Sequence, residues 1–482
     1  MWVLIAILVA AGPLLRGAWD LWAQTLLLLI AAAGTSVWLC AKVASGQVPA
    51  IPRTVLLWVG GLALLGGVAV GASPVAAYAA PEWHWRLGGL WVFAVVAGVS
   101  DEDRGRVDAA AHAAAWALVL VVAWQLLAEG RARPPASLLK ENIFAGACLL
   151  LLPLAVQRRD YVLTAALAAA MLWTRSVGVW LALALAGILA RPRGTSRALA
   201  IGLALVCAAA ALAKFRAPAA LDRFAWWGAA WRMFLEQPWT GWGPGAFAYL
   251  APVFSKGGQV FTLYAHQSVL ESLAETGFGY TVLLCGGLAW MLWAGRSWRT
   301  FGAAAVLLQS CWDLTLSIPA VYWLFCFCAG SSIRPAPRQV EVPRALRLPA
   351  IVLILGAGAL LSKGLWDVWQ ADRLRVMARA LLEDPPSPGR TRAAADLLAE
   401  SIGLQDHPDS RILLAEAGLG LGAGPGALAE AAGELETAAG LNPYRAGTWK
   451  GLETVYRGLG DETAAADALR RGAAFCPSLR SP

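Results

Sequence analysis

The chain has 482 residues, of which 59% are hydrophobic and only 15% charged, with 25 tryptophans and a formal net charge of +8. Together with a mean hydropathy of +0.58, this excludes an ordinary soluble globular protein and points to many membrane spans joined by short charged loops. Seven of the eight cysteines lie in or beside apolar runs and only Cys476 lies outside, which excludes a disulfide framework and makes them small buried hydrophobes.

Trp2 to Leu15 is apolar with no basic segment before it, so it is expected to be a retained span rather than a cleaved signal. Further spans are expected at 19–41, 54–71, 86–100, 107–128, 142–157, 160–174, 177–190, 197–213, 265–294, 299–315, 317–330 and 349–366. Several of these are shorter than the about 20 residues a straight span needs. The expected fold is therefore all-α: a polytopic membrane domain of about 12–13 spans over 1–366, followed by a helical domain over 367–482.

Charge orients the spans. With the N-terminus cytoplasmic, the loops on that side carry Lys42 and Arg53, Arg104 and Arg106, Arg158 and Arg159, then Arg191, Arg193 and Arg197. Later loops on the same side carry Arg296 and Arg299, and Arg334, Arg338, Arg344 and Arg347. Every cytoplasmic loop is then basic, as the positive-inside rule requires. An odd span count places the 214–264 loop and the tail from Asp372 outside. It also places Arg131, Arg133, Lys140, Arg175, Lys214, Arg216, Arg223 and Arg232 outside, where basic residues are costly to translocate. Two readings stand for them: an anionic ligand held by guanidinium forks, or snorkelling to lipid headgroups at span ends.

The longest polar interruption runs from Arg223 to Gly279. From Leu221 to Leu235 a helical period puts Arg223, Trp227, Ala230 and Phe234 on one side, as in an amphipathic helix in the membrane interface. Pro238 is expected to end it, and Gly241-Trp-Gly243-Pro244-Gly245 to form a turn in which glycine permits backbone geometries that other residues resist and allows close approach of a ligand. His266, one of four histidines, opens the next span and is the side chain best suited to exchange a proton near neutral pH. Glu271 and Glu275 follow at i,i+4 spacing, where carboxylates in a span call for a cation or a wet cavity. A structural salt bridge and a catalytic use are both open to them. Asp101-Glu102-Asp103 falls in a predicted cytoplasmic loop and reads as a solvated charge run.

After the last span the composition turns to Ala-rich segments with interspersed charge, and Pro408, Pro443 and Pro477 recur at separations of 35 and 34 residues. The last unit carries Trp449, Leu452, Tyr456, Ala465, Leu469 and Pro477 at the positions of a tetratricopeptide consensus, with Glu453 in place of glycine. The tail thus resembles two to three such repeats, whose usual use is to bind a protein segment, with a cap on the membrane body as the plain alternative.

The turn Gly241-Trp-Gly243-Pro244-Gly245-Ala-Phe247 and the run His266-Gln267…Glu275-x-Gly277-x-Gly279 resemble the O-antigen ligase and polymerase superfamily. Lys140-Glu-Asn142-Ile-Phe-Ala and Thr174-Arg175-Ser176-x-Gly178 are similar to further motifs of that family, so the resemblance covers roughly 140–330. It implies glycosyl transfer on the outer face of a bacterial inner membrane, with undecaprenyl diphosphate carrying the donor glycan and a lipid, glycan or protein hydroxyl as acceptor. It implies that no metal, nucleotide or other cofactor is used, and no nucleic-acid partner is expected. Carried onto this chain, His266 takes the acceptor proton, Arg175 and Arg223 hold the diphosphate, and Lys140 and Glu275 complete the substrate-binding set. The sequence has no H-E-x-x-H pattern and no P-loop. A polymerase, a protein oligosaccharyltransferase and a polysaccharide or lipid transporter are the competing functions, although no internal repeat of the transporter kind is present.

Overall fold

The computed structural model describes the chain except residues 190–196, 215–217, 256–261, 295–296, 335–338, 384–386, 423 and 481–482. Arg191, Arg193, Arg216, Arg296 and Arg338, and the side chains of Arg197 and Lys214, lie outside the described residues.

The described chain is all-α apart from one small ribbon. The first apolar run forms α1 (Trp2–Ala6) and α2 (Gly12–Leu14), joined by a π-helical turn at Ile7–Ala11. Then come α3 (Leu21–Ser45), α4 (Arg53–Gly71), α5 (Ala76–Gly98) and α6 (Asp101–Leu127). The middle of the chain forms α7 (Glu141–Gln157), α8 (Tyr161–Trp173), α9 (Val177–Leu189), α10 (Arg197–Lys214), α11 (Pro218–Glu236) and α12 (Phe247–Phe254). After these come α13 (Ser268–Ala294), α14 (Trp298–Gln309), α15 (Pro319–Gly330) and α16 (Arg344–Glu383). The tail is built of α17 (Pro388–Leu404), α18 (Pro408–Leu421), α19 (Pro425–Leu441), α20 (Ala446–Gly458) and α21 (Glu462–Phe475), each packed on the next.

Each expected span coincides with a helix. Five of them, α3, α4, α6, α13 and α16, are long and apolar enough to cross a bilayer. Shorter apolar helices, among them α7, α8, α9 and α15, make up the rest of the bundle. A multi-pass membrane protein follows from this set. The inner helices α7 and α15 are buried over most of their length, around Phe144, Trp323 and Phe327. Outer helices turn Leu57, Leu64, Leu353 and Leu360 outward, as a lipid-facing surface requires. Because lipid tails are as apolar as leucine, helix association there rests on close packing. Gly330 brings α15 against the Phe93 carbonyl at 2.8 Å from where a Cβ would sit.

Three boundaries differ from the sequence expectation. The 299–315 run stops being helical at Gln309: residues 315–317 form a 3-10 turn, and Pro319 starts α15. Local bonds compete with the helix there, since Leu314 N–H donates to the Asp313 carboxylate (2.8 Å) and Ser268 N–H takes the Ser310 carbonyl (2.8 Å). α5 begins at Ala76, ten residues before the expected 86, because its polar residues find partners: Arg86 pairs with Glu275 (2.7 Å), and Trp85 Nε1 donates to Glu82 (2.9 Å). The expected boundary at 366/367 falls inside α16, whose 40 residues extend ~60 Å at 1.5 Å per residue, about twice a hydrocarbon core. Its first part packs on α3 and its continuation carries α17.

The two ends of the bundle differ in chemistry. At one end β1 (Gln47–Pro49) pairs antiparallel with β2 (Gln339–Glu341), and Arg347 donates to the Ala44 carbonyl (3.2 Å). The buried Arg104 donates to the Val96 and Ser331 carbonyls, and Arg299 pairs with Asp108 at that end. Asp101, Glu102 and Asp103 occupy the first turn of α6 behind the Ser100 cap, where carboxylates suit a helix N-terminus. At the other end lie α11, the 241–245 turn and α12, and the tail packs on them. Tyr78 Oη donates to Asp409 (2.9 Å), Tyr444 meets Trp242 edge-on with ring centres 5.9 Å apart, and Gln405 reaches the Ala77 carbonyl (3.4 Å).

Candidate functional site

The organising stretch folds into a helix, a glycine turn and a capped helix start. α11 ends at Glu236, ahead of Pro238. Gly241, Gly243 and Gly245 all take positive φ (65°, 100° and 75°), which the turn needs in order to lie flat against α13 and α5. A Cβ at Gly241 would collide with the Glu275 carbonyl, one at Gly243 with Ser73, and one at Gly245 with the Glu82 side chain. The turn is held by backbone bonds from Trp242 N–H to the Ala274 carbonyl (3.0 Å) and from Gly243 N–H to the Glu275 carbonyl (2.8 Å). α13 opens to receive it at Gly277, whose φ of 75° and ψ of 179° break the helix beside the Trp239 carbonyl.

His266 sits immediately before α13 with a φ of 55°, a left-handed conformation that costs a non-glycine residue of order 1–3 kcal/mol. What enforces it is the helix start. Gln267 caps α13 by accepting from Leu270 N–H, and the Glu271 carboxylate accepts from Ala265 N–H (2.8 Å) and Ser317 Oγ (3.0 Å). The imidazole stacks on Trp226 of α11 (ring centres 5.0 Å) and turns its buried Nδ1 toward Asp313 Oδ1, 3.7 Å away. That distance is beyond a hydrogen bond, and among the described residues Nδ1 has no other hydrogen-bond partner.

Unpaired polar atoms gather around this histidine. Ser268 Oγ, both amide atoms of Gln309, Trp312 Nε1 and Thr315 Oγ1 are buried without hydrogen-bond partners among the described residues, like His266 Nδ1. Such atoms are rare in native proteins and cost about 1–3 kcal/mol each unless water or a ligand satisfies them. Gly146 of α7 packs against Gln309 and Thr315, and Gly178 of α9 against Trp312, so α7, α9, α13 and the 310–317 break meet here.

Arg175, also left-handed (φ 55°), lies exposed in the turn between α8 and α9, three residues before the Gly178 that touches Trp312. Arg223 is half-buried on α11, one turn before Trp226, and among the described residues no carboxylate pairs with it. The fold thus brings the Arg175 turn, the Arg223 helix and His266 around one break in the bundle. Lys140, exposed, precedes α7, where neighbouring Glu141 pairs with Arg133 (2.9 Å). Glu275 is different: it is 2% exposed, and its carboxylate meets Arg86 (2.7 Å) and Phe247 N–H (3.4 Å). It anchors the turn to α5 and α13.

The residues that sequence reasoning missed are Asp313, Gln309, Glu82 and Arg86. Each is a polar group inside an apolar run, where its cost in a bilayer signals a partner or a cavity. Among the described residues no group of three or more His, Cys, Asp or Glu is placed to hold a metal ion. No family model, curated protein or solved structure matches the chain.

Proposed function

We propose that this protein transfers a glycan from undecaprenyl diphosphate to an acceptor hydroxyl on the outer face of a bacterial inner membrane. The observation that carries the proposal is His266, held in a strained backbone conformation with a buried, unpaired Nδ1 facing Asp313 at 3.7 Å. In this reading Nε2 takes the proton of the acceptor hydroxyl while Nδ1–H turns to Asp313, which orients the ring and stabilises the imidazolium. The acceptor oxygen bonds to the anomeric carbon as the bond from that carbon to the phosphate oxygen breaks, most simply with inversion. The electron pair leaves with the diphosphate, whose growing charge Arg175 and Arg223 stabilise, with Lys140 as a further cation. Glu275 serves the site indirectly, by fixing the glycine turn through Arg86. The tail is read as tetratricopeptide-like repeats that cap this end and offer a surface to a protein partner; Trp449, Leu452 and Ala465 are buried between its helices as the consensus requires.

The purified protein, assayed with a lipid-diphosphate-linked glycan, tests the proposal. His266→Ala is expected to keep donor binding while turnover falls by roughly two to four orders of magnitude, the usual scale of general-base catalysis. Unchanged transfer in a normally folded variant would return His266 to a structural role.

A further inference from the structure

A cavity of about 290 Å³ lies at the seam between the membrane body and the tail. Its walls come from five places: the start of α3, the start of α5, the beginning of α12, the segment just before His266, and the α16–α18 region of the tail. Gly245 and Ala248 line it on one side and Asp372, Arg375 and Gln405 on the other, with Tyr264, two residues from His266, between them. The cavity therefore adjoins the candidate site and is complete only when the tail is docked.

Its chemistry narrows the occupant. Tyr78 and Tyr249, stacked at 3.9 Å, and Tyr264 supply flat aromatic faces. Glu82, Asp372, Asp409 and the amides of Gln24 and Gln405 supply acceptors suited to hydroxyl groups. Three carboxylates, Glu82, Asp372 and Asp409, stand against Arg375, whose Nη2 pairs with Asp372 while its buried Nη1 has no hydrogen-bond partner among the described residues; the balance of charge disfavours an anion such as phosphate, and the Nη1–H is left to donate to a neutral hydroxyl oxygen. The volume is at the small end of ligand pockets, about 300 Å³, which suits a sugar ring or two and not a folded segment of protein.

We propose that this seam cavity is the acceptor subsite: it binds a neutral sugar unit and presents its hydroxyl toward His266, with the tail supplying one wall. The proposal rests on the glycosyl-transfer reading for the use of the site, but sugar binding itself is measurable without donor. Full-length protein in lipid nanodiscs would be titrated with the methyl glycosides of glucose, galactose and N-acetylglucosamine, with glucuronate as the anionic control, and followed by saturation-transfer NMR. Saturable binding of at least one neutral glycoside is expected in the wild type. Filling the cavity from the membrane side by Ala248→Trp, or from the tail by Gln405→Trp, is expected to weaken binding at least tenfold. Two fillers on separate walls allow either one to decide if the other fails to fold. No saturable binding of any neutral glycoside, unaltered binding in a folded filler variant, or a preference for glucuronate would overturn the proposal. Sugar binding lost in the fillers alongside normal transfer by His266→Ala would keep the cavity as a sugar site and discard only the catalytic reading.

Discussion

The Arg86–Glu275 pair is the joint on which the glycine turn hangs, and breaking it makes a quantitative test. Glu275 is 2% exposed and bonded to Arg86 at 2.7 Å, and its own backbone carbonyl accepts from Gly243 N–H at 2.8 Å. Arg86→Met leaves the Glu275 carboxylate with only the long bond from Phe247 N–H (3.4 Å), an uncompensated buried charge for which a loss of about 3–5 kcal/mol is usual. Because the Arg86 side chain keeps 13% exposure, the lower end, about 3 kcal/mol, is expected. Glu275→Met is expected to cost a similar amount, since Arg86 is then left facing an apolar group. The double variant removes both charges, and well-packed apolar replacements of a buried pair are often close to neutral. A coupling of about 2 kcal/mol or more should therefore appear in unfolding measurements of the four proteins in detergent. Each single variant should also lose transfer activity as the turn shifts. Losses that add to within about 0.5 kcal/mol would show that the pair does not hold the turn.

Gly277→Ala places a side chain at φ 75° against the Trp239 carbonyl and is expected to destabilise by roughly 1–3 kcal/mol, whereas Gly286→Ala, in open space on the same helix, should be neutral or stabilising; thermal unfolding of the two compares them directly. Arg223→Lys is expected to cost ~2 kcal/mol or more of transition-state stabilisation, read from kcat/KM, because an ammonium cannot reproduce the planar fork on a diphosphate; full activity would assign Arg223 to headgroup snorkelling. His407, in the tail, has its pKa pushed down to about 3 by burial first and then by Arg375 and Arg445, against the opposing pull of Asp409 and Asp406. A depressed pKa makes its contribution fully present above the ordinary value near 6.5 and lost as pH falls from there toward 3. At pH 4.5 the loss should reach about 2 to 3 kcal/mol, and His407→Asn should remove that part of the acid sensitivity of unfolding.

What could be read from the sequence was whatever is local. Apolar length placed the helices, and the helical period of 221–235 together with Pro238 placed α11 and its end. The spacing of Gly241, Gly243 and Gly245 announced a turn, but the groups that approach its glycines are Glu275, Ser73 and Glu82 of the protein itself and not the expected ligand. What stayed hidden depends on pairs far apart in the chain. Glu275 could be seen to need a cation, but Arg86 lies 189 positions away, at the first residue of another expected span, and nothing local links the two. Asp313 was absorbed into a run whose average hydropathy concealed one carboxylate, and with it the break that ends α14 at Gln309.

These hidden pieces share a physical cause, which bears on the function. A bilayer tolerates a polar side chain only where the fold provides a partner, water or a ligand. Glu82, Arg86, Glu271 and Glu275 have been given protein partners and build the frame. Among the described residues His266 Nδ1, Ser268 Oγ, Trp312 Nε1, Thr315 Oγ1 and the Gln309 amide have not, although these atoms are buried as well. The strained His266 backbone is fixed by bonds belonging to the first cluster, through Glu271 and Gln267, and so the frame that satisfies one set of polar groups also sets the direction of the histidine beside the other.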